Sequence, residues 1–578
     1  MATNPAHMPV EHRPPLADNL SIARSVQGRP INEVARDMEL EDAWVEPYGH
    51  GVAKLELDAV AGTAGRPRGR YVVVSAITPT PLGEGKTTTA IGLAQAFGHI
   101  GQRATVALRQ PSLGPTLGIK GGAAGGGWSQ VIPMERINLH LTGDIHAVGA
   151  AHNLLAAMVD NHLYHRRGVD LDPASVSWPR TLDINDRALR NVIVGLGSAG
   201  DGVPRQSGFE ITAASEVMAI LALASSVHDL RRRLGRIVVG RSRDGEPVTA
   251  EDIGAAGAMS ALLRDAIKPN LLQTLEHGAA LIHAGPFGNI AHGNSSILAD
   301  RIGLHCSDYL VTEAGFGADM GAERFFNIKC RTSGLVPDAA VLVATVRGLK
   351  FHSGDFRVKP GQPLPEAMLR EDPDAVRAGA ANLVKQLQNI RLHGVSPVVA
   401  INAFPTDHAS EHAAIREIAE AAGARVSLCT HVRDGGAGAT ELAEAVAEAA
   451  AEPGEFRFLY PDELPIRDKI ERIATQVYGA GDVSVSPLAA RQLERITSEG
   501  YGNLPVCVAK THLSLSSDPT LPGAPRDWTL PVREARLSAG AGFVYALCGD
   551  IRTMPGLGSR PAAAGMDVDE DGELHGLF

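Results

Sequence analysis

Short apolar runs alternate with longer amphipathic ones along this chain. The runs at Tyr71–Ala76, Ala104–Leu108, Asn191–Val194, Arg236–Val239, Ala280–His283, Tyr309–Thr312, Ala340–Ala344, Pro397–Asn402 and Arg425–Thr430 are rich in Val, Ile and Ala. They show little period-two alternation, the mark of strands buried on both faces. Helical spacing fills the gaps at Thr87–His99, Ala213–Leu230, Ala375–Leu392, His408–Ala422 and Thr440–Ala451. Strand–helix–strand alternation predicts an α/β fold with a doubly wound parallel sheet and right-handed crossovers. No internal repeat is visible. The expected division is a nucleotide-binding domain over 1–383 and two smaller α/β domains over 384–482 and 483–578.

The chain has 578 residues, a net charge of -11 and 21% charged residues, so it is long enough for several domains and is not compositionally disordered. The negative balance argues against a general affinity for nucleic acid. The five cysteines, Cys306, Cys330, Cys429, Cys507 and Cys548, form no CxxC pair, which suits a reducing compartment and buried thiols. No apolar stretch approaches the roughly 20 residues that span a bilayer. A soluble, cytoplasmic protein is expected, with a frayed start and a tail that docks through Leu577 and Phe578. The arginines at 166–167 and 231–233 are expected on solvated faces.

The strongest chemical signal is TPTPLGEGKTTT at 78–89, between an apolar strand and a helix. That is the setting of a phosphate-binding P-loop. Gly83 and Gly85 let the backbone approach a phosphate, and the first helical amides and the helix dipole favour its charge. Lys86 would reach the terminal phosphates and Thr87 would place a hydroxyl on Mg²⁺. The first glycine of the usual pattern is Thr80 here, so the candidate cradle is Thr80, Pro81, Leu82, Gly83, Glu84, Gly85, Lys86, Thr87 and Thr88.

Arg109 follows the second strand, where ligands of open α/β sheets bind, and its planar fork suits a phosphate or carboxylate. Lys120 sits in the glycine-rich run 118–127, read as a functional loop. His283 and His292 bracket a Gly/Asn/Ser-dense loop after another strand. Their spacing is not that of a zinc site, and each is as readily a satisfied structural histidine as a catalytic one.

On these segments, and on LRQPSLGPTLGIKGGAAGGGWSQVIPM (108–134), GPFGNIAHG (285–293), VTEAGFGADMGAERFFNIKCR (311–331) and VREARLSAGAGFVYALCGDIRTMPGL (532–557), the chain resembles the formate–tetrahydrofolate ligase family over nearly its whole length. The resemblance implies ligation of formate to tetrahydrofolate at the expense of MgATP, through formyl phosphate, in one-carbon metabolism. Lys120, His283 and His292 stand beside Lys86 and Arg109 as catalytic candidates on their loop positions alone. The resemblance gives Lys86 and Thr87 the nucleotide phosphates and Mg²⁺, and Arg109 formate and then formyl phosphate. It also implies a folate side built from Gln110, Phe404, Pro405 and Val432, a homotetramer, and activation by K⁺ or ammonium.

Departures from the family pattern cluster on the acceptor side. Gln110 stands where the family carries a glutamate, and Val432 stands where it often carries a tryptophan facing the Phe404-type ring. Losing half of an aromatic sandwich removes about 1 kcal/mol. Asn294-Ser295-Ser296 and His512-Leu513 also depart. A paralogue that makes formyl phosphate and formylates another amine is the alternative these differences raise. A regulatory P-loop GTPase would need a guanine-reading Asn-Lys-x-Asp or Thr-Lys-x-Asp, and neither is present.

Overall fold

A strand made mostly of apolar residues can bury both faces, and seven mostly apolar parallel strands lie side by side here. The computed structural model describes residues 18–81, 83–118, 124–358, 364–549 and 551–577. The parallel strands run in the order Ala279–Ile282, Ala104–Leu108, Tyr309–Glu313, Arg70–Ala76, Ala339–Ala344, Pro397–Asn402 and Arg425–Cys429. In the 70–76 strand, Tyr71 and Val73 pack into one core while Val72, Val74 and Ala76 pack into another on the opposite face. An antiparallel extension adds Asn270–Thr274, Ala53–Leu55 and Val45–Pro47 beyond the 279–282 strand.

After the 70–76 strand the chain crosses to one side, through the helix Lys86–His99, into the 104–108 strand. Later it crosses back over the 70–76 strand into 339–344 and then runs outward to the other edge. The carboxyl ends around this reversal form the crevice where such sheets bind ligands. The expected division at 383 falls inside the helix Ala380–Arg391, and the 397–402 and 425–429 strands continue the same sheet. A separate C-terminal core gathers Leu459, Tyr460 and Tyr478 with Val506, Val544 and Cys548 around a three-stranded sheet.

Several expectations need correction. The Val192–Val194 and Val238–Arg241 strands stand outside the central sheet, each in its own antiparallel hairpin. Their flanks turn back within a dozen residues, too short for a parallel crossover. The helix expected over Ala213–Leu230 is three pieces, because Ser215 and Ser226 each cap a new start by accepting from Val217 N and Asp229 N. A 22-residue helix, Asp144–His165, was not foreseen, although its buried Ile145, Val148, Ala151, Leu155 and Val159 follow helical spacing.

All five cysteines are buried and free. Burial pushes their thiols up, Cys306 and Cys507 to about 11 and Cys429 and Cys548 to about 12. Leu577 is buried in the core that also holds Leu20 and Ile22, so the tail docks as expected up to the last described residue. No helix among the described residues is long and apolar enough to cross a membrane.

Arg233, expected on a solvated face, is instead tucked in. Its Nε donates to Asp229 Oδ2 at 2.9 Å and its guanidinium reaches the carbonyl of Ala541, joining this helix to the 534–547 strands. Burial alone would raise the Asp229 carboxyl, but the Arg233 bond and charge, with donors from Ser225 and Arg232, bring it down to about 2. A depressed carboxylate contributes stability that is complete above its unfolded value, near pH 4, and is lost as pH falls toward 2. Asp229→Asn should therefore unfold at lower urea than the parent at pH 6, by about 1–2 kcal/mol. That gap should narrow steadily between pH 4 and pH 2.5; a gap independent of pH in this range would refute the assignment.

Candidate active site

The site is built from loops at the carboxyl edge of the central strands. The first follows the 70–76 strand. Gly83 and Gly85 adopt φ of 73° and 76°, the left-handed region that glycine enters freely, and Gly85 is the N-cap of the Lys86–His99 helix. The helix therefore opens without a side-chain cap. Lys86, Thr87 and Thr88 are half-buried at its mouth, beside half-buried Pro81. Leu82 lies outside the described residues.

Glu84 does not face the mouth. It is 1% exposed, accepting from the loop's own Thr80 amide at 2.9 Å and from Thr345 Oγ1 at 2.5 Å. Asn402 Nδ2 donates to the carbonyl of Glu84 and Arg347 to that of Gly83. The loop is thus braced from inside by Asn402, which ends the 397–402 strand, and by Thr345 and Arg347, which follow the 339–344 strand.

The second loop carries Arg109. Its guanidinium reaches the carbonyl of Pro286 at 3.4 Å, and its Nε, sealed from solvent, lies 3.6 Å from Glu313 Oε1. Glu313 was not foreseen. It ends the 309–313 strand, is 4% exposed, and accepts from Thr87 Oγ1 at 2.6 Å through its other oxygen. Glu313 thereby joins the start of the helix to the arginine. A charged residue closing an apolar strand at this edge is the signal that could have revealed it. Gly315 lies against the guanidinium, where a methyl would stand 3.3 Å from both terminal nitrogens.

Of the two candidate histidines, His283 is committed elsewhere. Its Nδ1 faces Ser296 Oγ at 2.6 Å and its Nε2 faces the carbonyl of Ala266 at 2.7 Å. Burial takes it down to about 4, so it is a neutral tie holding the loop rather than a group open to substrate. His292 differs. It is fully buried, both ring nitrogens lack a hydrogen-bond partner, and burial with the charges of Lys329 and Arg109 holds it well below the usual imidazole range. Lys120 lies outside the described residues.

On the expected folate side, Gln110 is 3% exposed, its amide bonds the carbonyl of Ala284, and its Oε1 is sealed without a partner. Phe404 is half-buried and Pro405 exposed, and the Arg347 guanidinium stacks 3.7 Å from the centre of the Phe404 ring. Val432 is half-buried, and its carbonyl accepts from Trp128 N at 2.9 Å. It packs so closely on Gly127 that a methyl there would lie 2.0 Å from the Val432 oxygen.

Among the described residues no cluster of three or more His, Cys, Asp or Glu is placed to hold a metal. A cavity of about 670 Å³, lined by Glu210, Glu216, Arg536 and Tyr545, lies against the C-terminal module and includes none of the 78–88 loop. The carboxyl edge is the stronger candidate, because the start of the 86–99 helix and Arg109 meet there on Glu313.

A family model for formate–tetrahydrofolate ligase matches residues 17–578. A formate–tetrahydrofolate ligase of Saccharopolyspora erythraea is 66% identical over 559 residues, covering 97% of this chain and 99% of the relative. Ligases of the same name from Cutibacterium acnes and Chloroflexus aggregans are 61% and 55% identical, each covering 97% of this chain and the whole of the relative. The chain belongs to the formate–tetrahydrofolate ligase family. It is an enzyme of the ligase class, as the motifs led one to expect.

For this ligase the bracing of the loop can be tested directly. A methyl on Gly85 would sit 2.4 Å from Asn402 Nδ2, whereas Gly83 has nothing within 4 Å. Both carry positive φ, so Gly83→Ala should cost about 1–2 kcal/mol from backbone strain alone. Gly85→Ala should cost at least about 1 kcal/mol more, because it also displaces a buried hydrogen bond. Thermal unfolding of the two variants compares them; equal losses would show that Asn402 does not brace the loop.

Proposed function

We propose that this ligase joins formate to tetrahydrofolate with cleavage of ATP, through formyl phosphate. A formate oxygen attacks the γ-phosphorus and the bond to the ADP oxygen breaks. The amine at N10 then attacks the formyl carbon, phosphate leaves with the bonding electrons, and the amine gives up its proton. Neither step needs a covalent enzyme intermediate, so the work is positioning and neutralising charge.

The residues divide that work. The amides after Gly85, with Lys86, would receive the nucleotide's terminal phosphates. Arg109 would hold formate by its fork and then the phosphate borne by the formyl group. The observation that carries this reading is the meeting of Thr87 and Arg109 on Glu313, within 2.6 and 3.6 Å of its two oxygens. On this reading the phosphate end and the acid end of the reaction would lie against one carboxylate.

Magnesium fits that donor set. One hydroxyl and one carboxylate suit an ion that takes its other positions from water and nucleotide oxygens. Bound with ATP, the ion supplies charge neutralisation of the phosphates. His292, held neutral, could give or take a hydrogen bond beside Arg109 without adding charge.

The folate side of this reading uses the Phe404 and Val432 loops of 384–482, which share the central sheet with the nucleotide side. A pterin stacked on Phe404 would use the face opposite Arg347 or take the place of the guanidinium. The family resemblance carries with it a homotetramer, activation by K⁺ or ammonium, and a cytoplasmic place.

The test is release of ADP from ATP and formate, with and without tetrahydrofolate. Tetrahydrofolate should raise the rate at least tenfold, and formyltetrahydrofolate should appear in equal amount to ADP. Formate-dependent ADP release indifferent to tetrahydrofolate would instead favour another amine acceptor, the possibility that Gln110 and Val432 raise. Lys86→Ala should lower turnover by roughly a hundredfold or more and leave the melting temperature nearly unchanged. Turnover at the parent rate would mean that the phosphates sit elsewhere.

A further inference from the structure

Thr78, which opens the candidate phosphate loop, is gripped by groups that lead away from the site. Its amide donates to Asn382 Oδ1 at 3.0 Å and its carbonyl accepts from His352 Nε2 at 2.8 Å. Its hydroxyl accepts from Asn382 Nδ2 at 2.8 Å and from Gln386 Nε2 at 3.0 Å. Gln386 has one more amide proton, and that reaches Asp319 Oδ1 at 2.8 Å. The other oxygen of Asp319 meets Lys510 Nζ at 3.0 Å.

Lys510 belongs to the C-terminal module, just past its Val506–Ala509 strand. Its remaining protons go to the carbonyls of Thr511 and Ser514, and its ammonium lies 4.6 Å from the centre of the Tyr478 ring. Two residues on, His512 stacks on Phe316 at 4.6 Å, so this segment lies along the loop that runs from Gly315 to Asp319. Thr78, Gln386, Asp319 and Lys510 are each 1% exposed or less. The elements converge at Gly317, where a methyl would meet Asp319 Oδ1 at 2.6 Å, Gln386 Nε2 at 3.1 Å and Thr78 Cα at 3.2 Å.

Stability alone does not explain this chain of contacts. A buried ion pair gains little over a well-packed apolar pair, because both charges must be stripped of water. What it does supply is direction. Lys510, Asp319, Gln386 and Thr78 are joined link by link through hydrogen bonds, so the position of one end is transmitted to the other.

We propose that Lys510 is a positioning residue for the nucleotide, acting through Asp319 and Gln386 on the first residue of the phosphate loop. This rests on the reading of 80–88 as the nucleotide cradle. The C-terminal module, which contributes no residue to that cradle, then sets its geometry.

Gln386→Met keeps the volume and removes the link between Asp319 and Thr78. In the full-length enzyme it should raise KM for ATP about tenfold, leaving KM for formate and for tetrahydrofolate within twofold of the parent. A link that merely fastened the modules would lower the melting temperature and kcat without moving KM for one substrate. An unchanged KM for ATP, or a common rise in all three, overturns the proposal. Should that variant not fold, the double substitution Asp319→Asn with Lys510→Met, which leaves no unpaired buried charge, should shift KM for ATP in the same direction. Lys86→Ala separates the two readings. If it keeps turnover, the cradle itself is misplaced; if it loses turnover while Gln386→Met binds ATP normally, only the link fails.

Discussion

One carboxylate at the end of a buried strand organises the site. Glu313 takes its position from the middle of a parallel sheet, the least deformable part of the molecule, and spends its two oxygens on two different loops. The start of a helix and the arginine after the neighbouring strand are therefore held in register by the sheet itself. Glu313, 3.6 Å from Arg109 Nε, also helps to orient the guanidinium.

The loop that faces Glu313 is rigid for a complementary reason. Its own carboxylate, Glu84, is turned inward and fully used by Thr80 and Thr345, and Asn402 and Arg347 hold its carbonyls from behind. With its carbonyls and carboxylate occupied on the inner side, the loop turns no acceptor of Glu84 toward the helix start, which has no side-chain cap. This arrangement also accounts for tolerance of Thr80 where a glycine is usual, since Thr80 is buried and its amide is satisfied within the loop.

Much of this was legible in the residues. Runs dominated by Val, Leu, Ile and Ala mark the 70–76, 104–108, 309–313, 339–344 and 397–402 strands because strands covered on both faces need few polar positions, and a shorter such run marks the edge strand 425–429. The 270–274 strand was invisible for the converse reason. Asn270, Gln273 and Thr274 interrupt its pattern, and they are tolerated because Lys54 and Asp144 satisfy Asn270 internally. Hydrophobic periodicity also carried one helix across Ser215 and Ser226, where hydroxyl caps override it. At the site, Lys86 and Arg109 were readable from spacing and charge. Glu313 was not read, although its place as the charge that closes an apolar strand was visible, because its two partners, Thr87 and Arg109, are distant in sequence. His283 and His292 looked alike in sequence, and only the neighbours of their ring nitrogens tell a saturated imidazole from an unsaturated one.

The five enclosed cysteine sulfurs leave the folded molecule's exterior silent toward thiol-directed electrophiles. With no thiolate within reach near neutral pH, alkylating reagents find a target only when the chain opens, so labelling kinetics become a direct clock for excursions out of the native fold. The same silence makes the surface a clean background on which a single introduced cysteine can carry a fluorophore or spin label without removal of any native one.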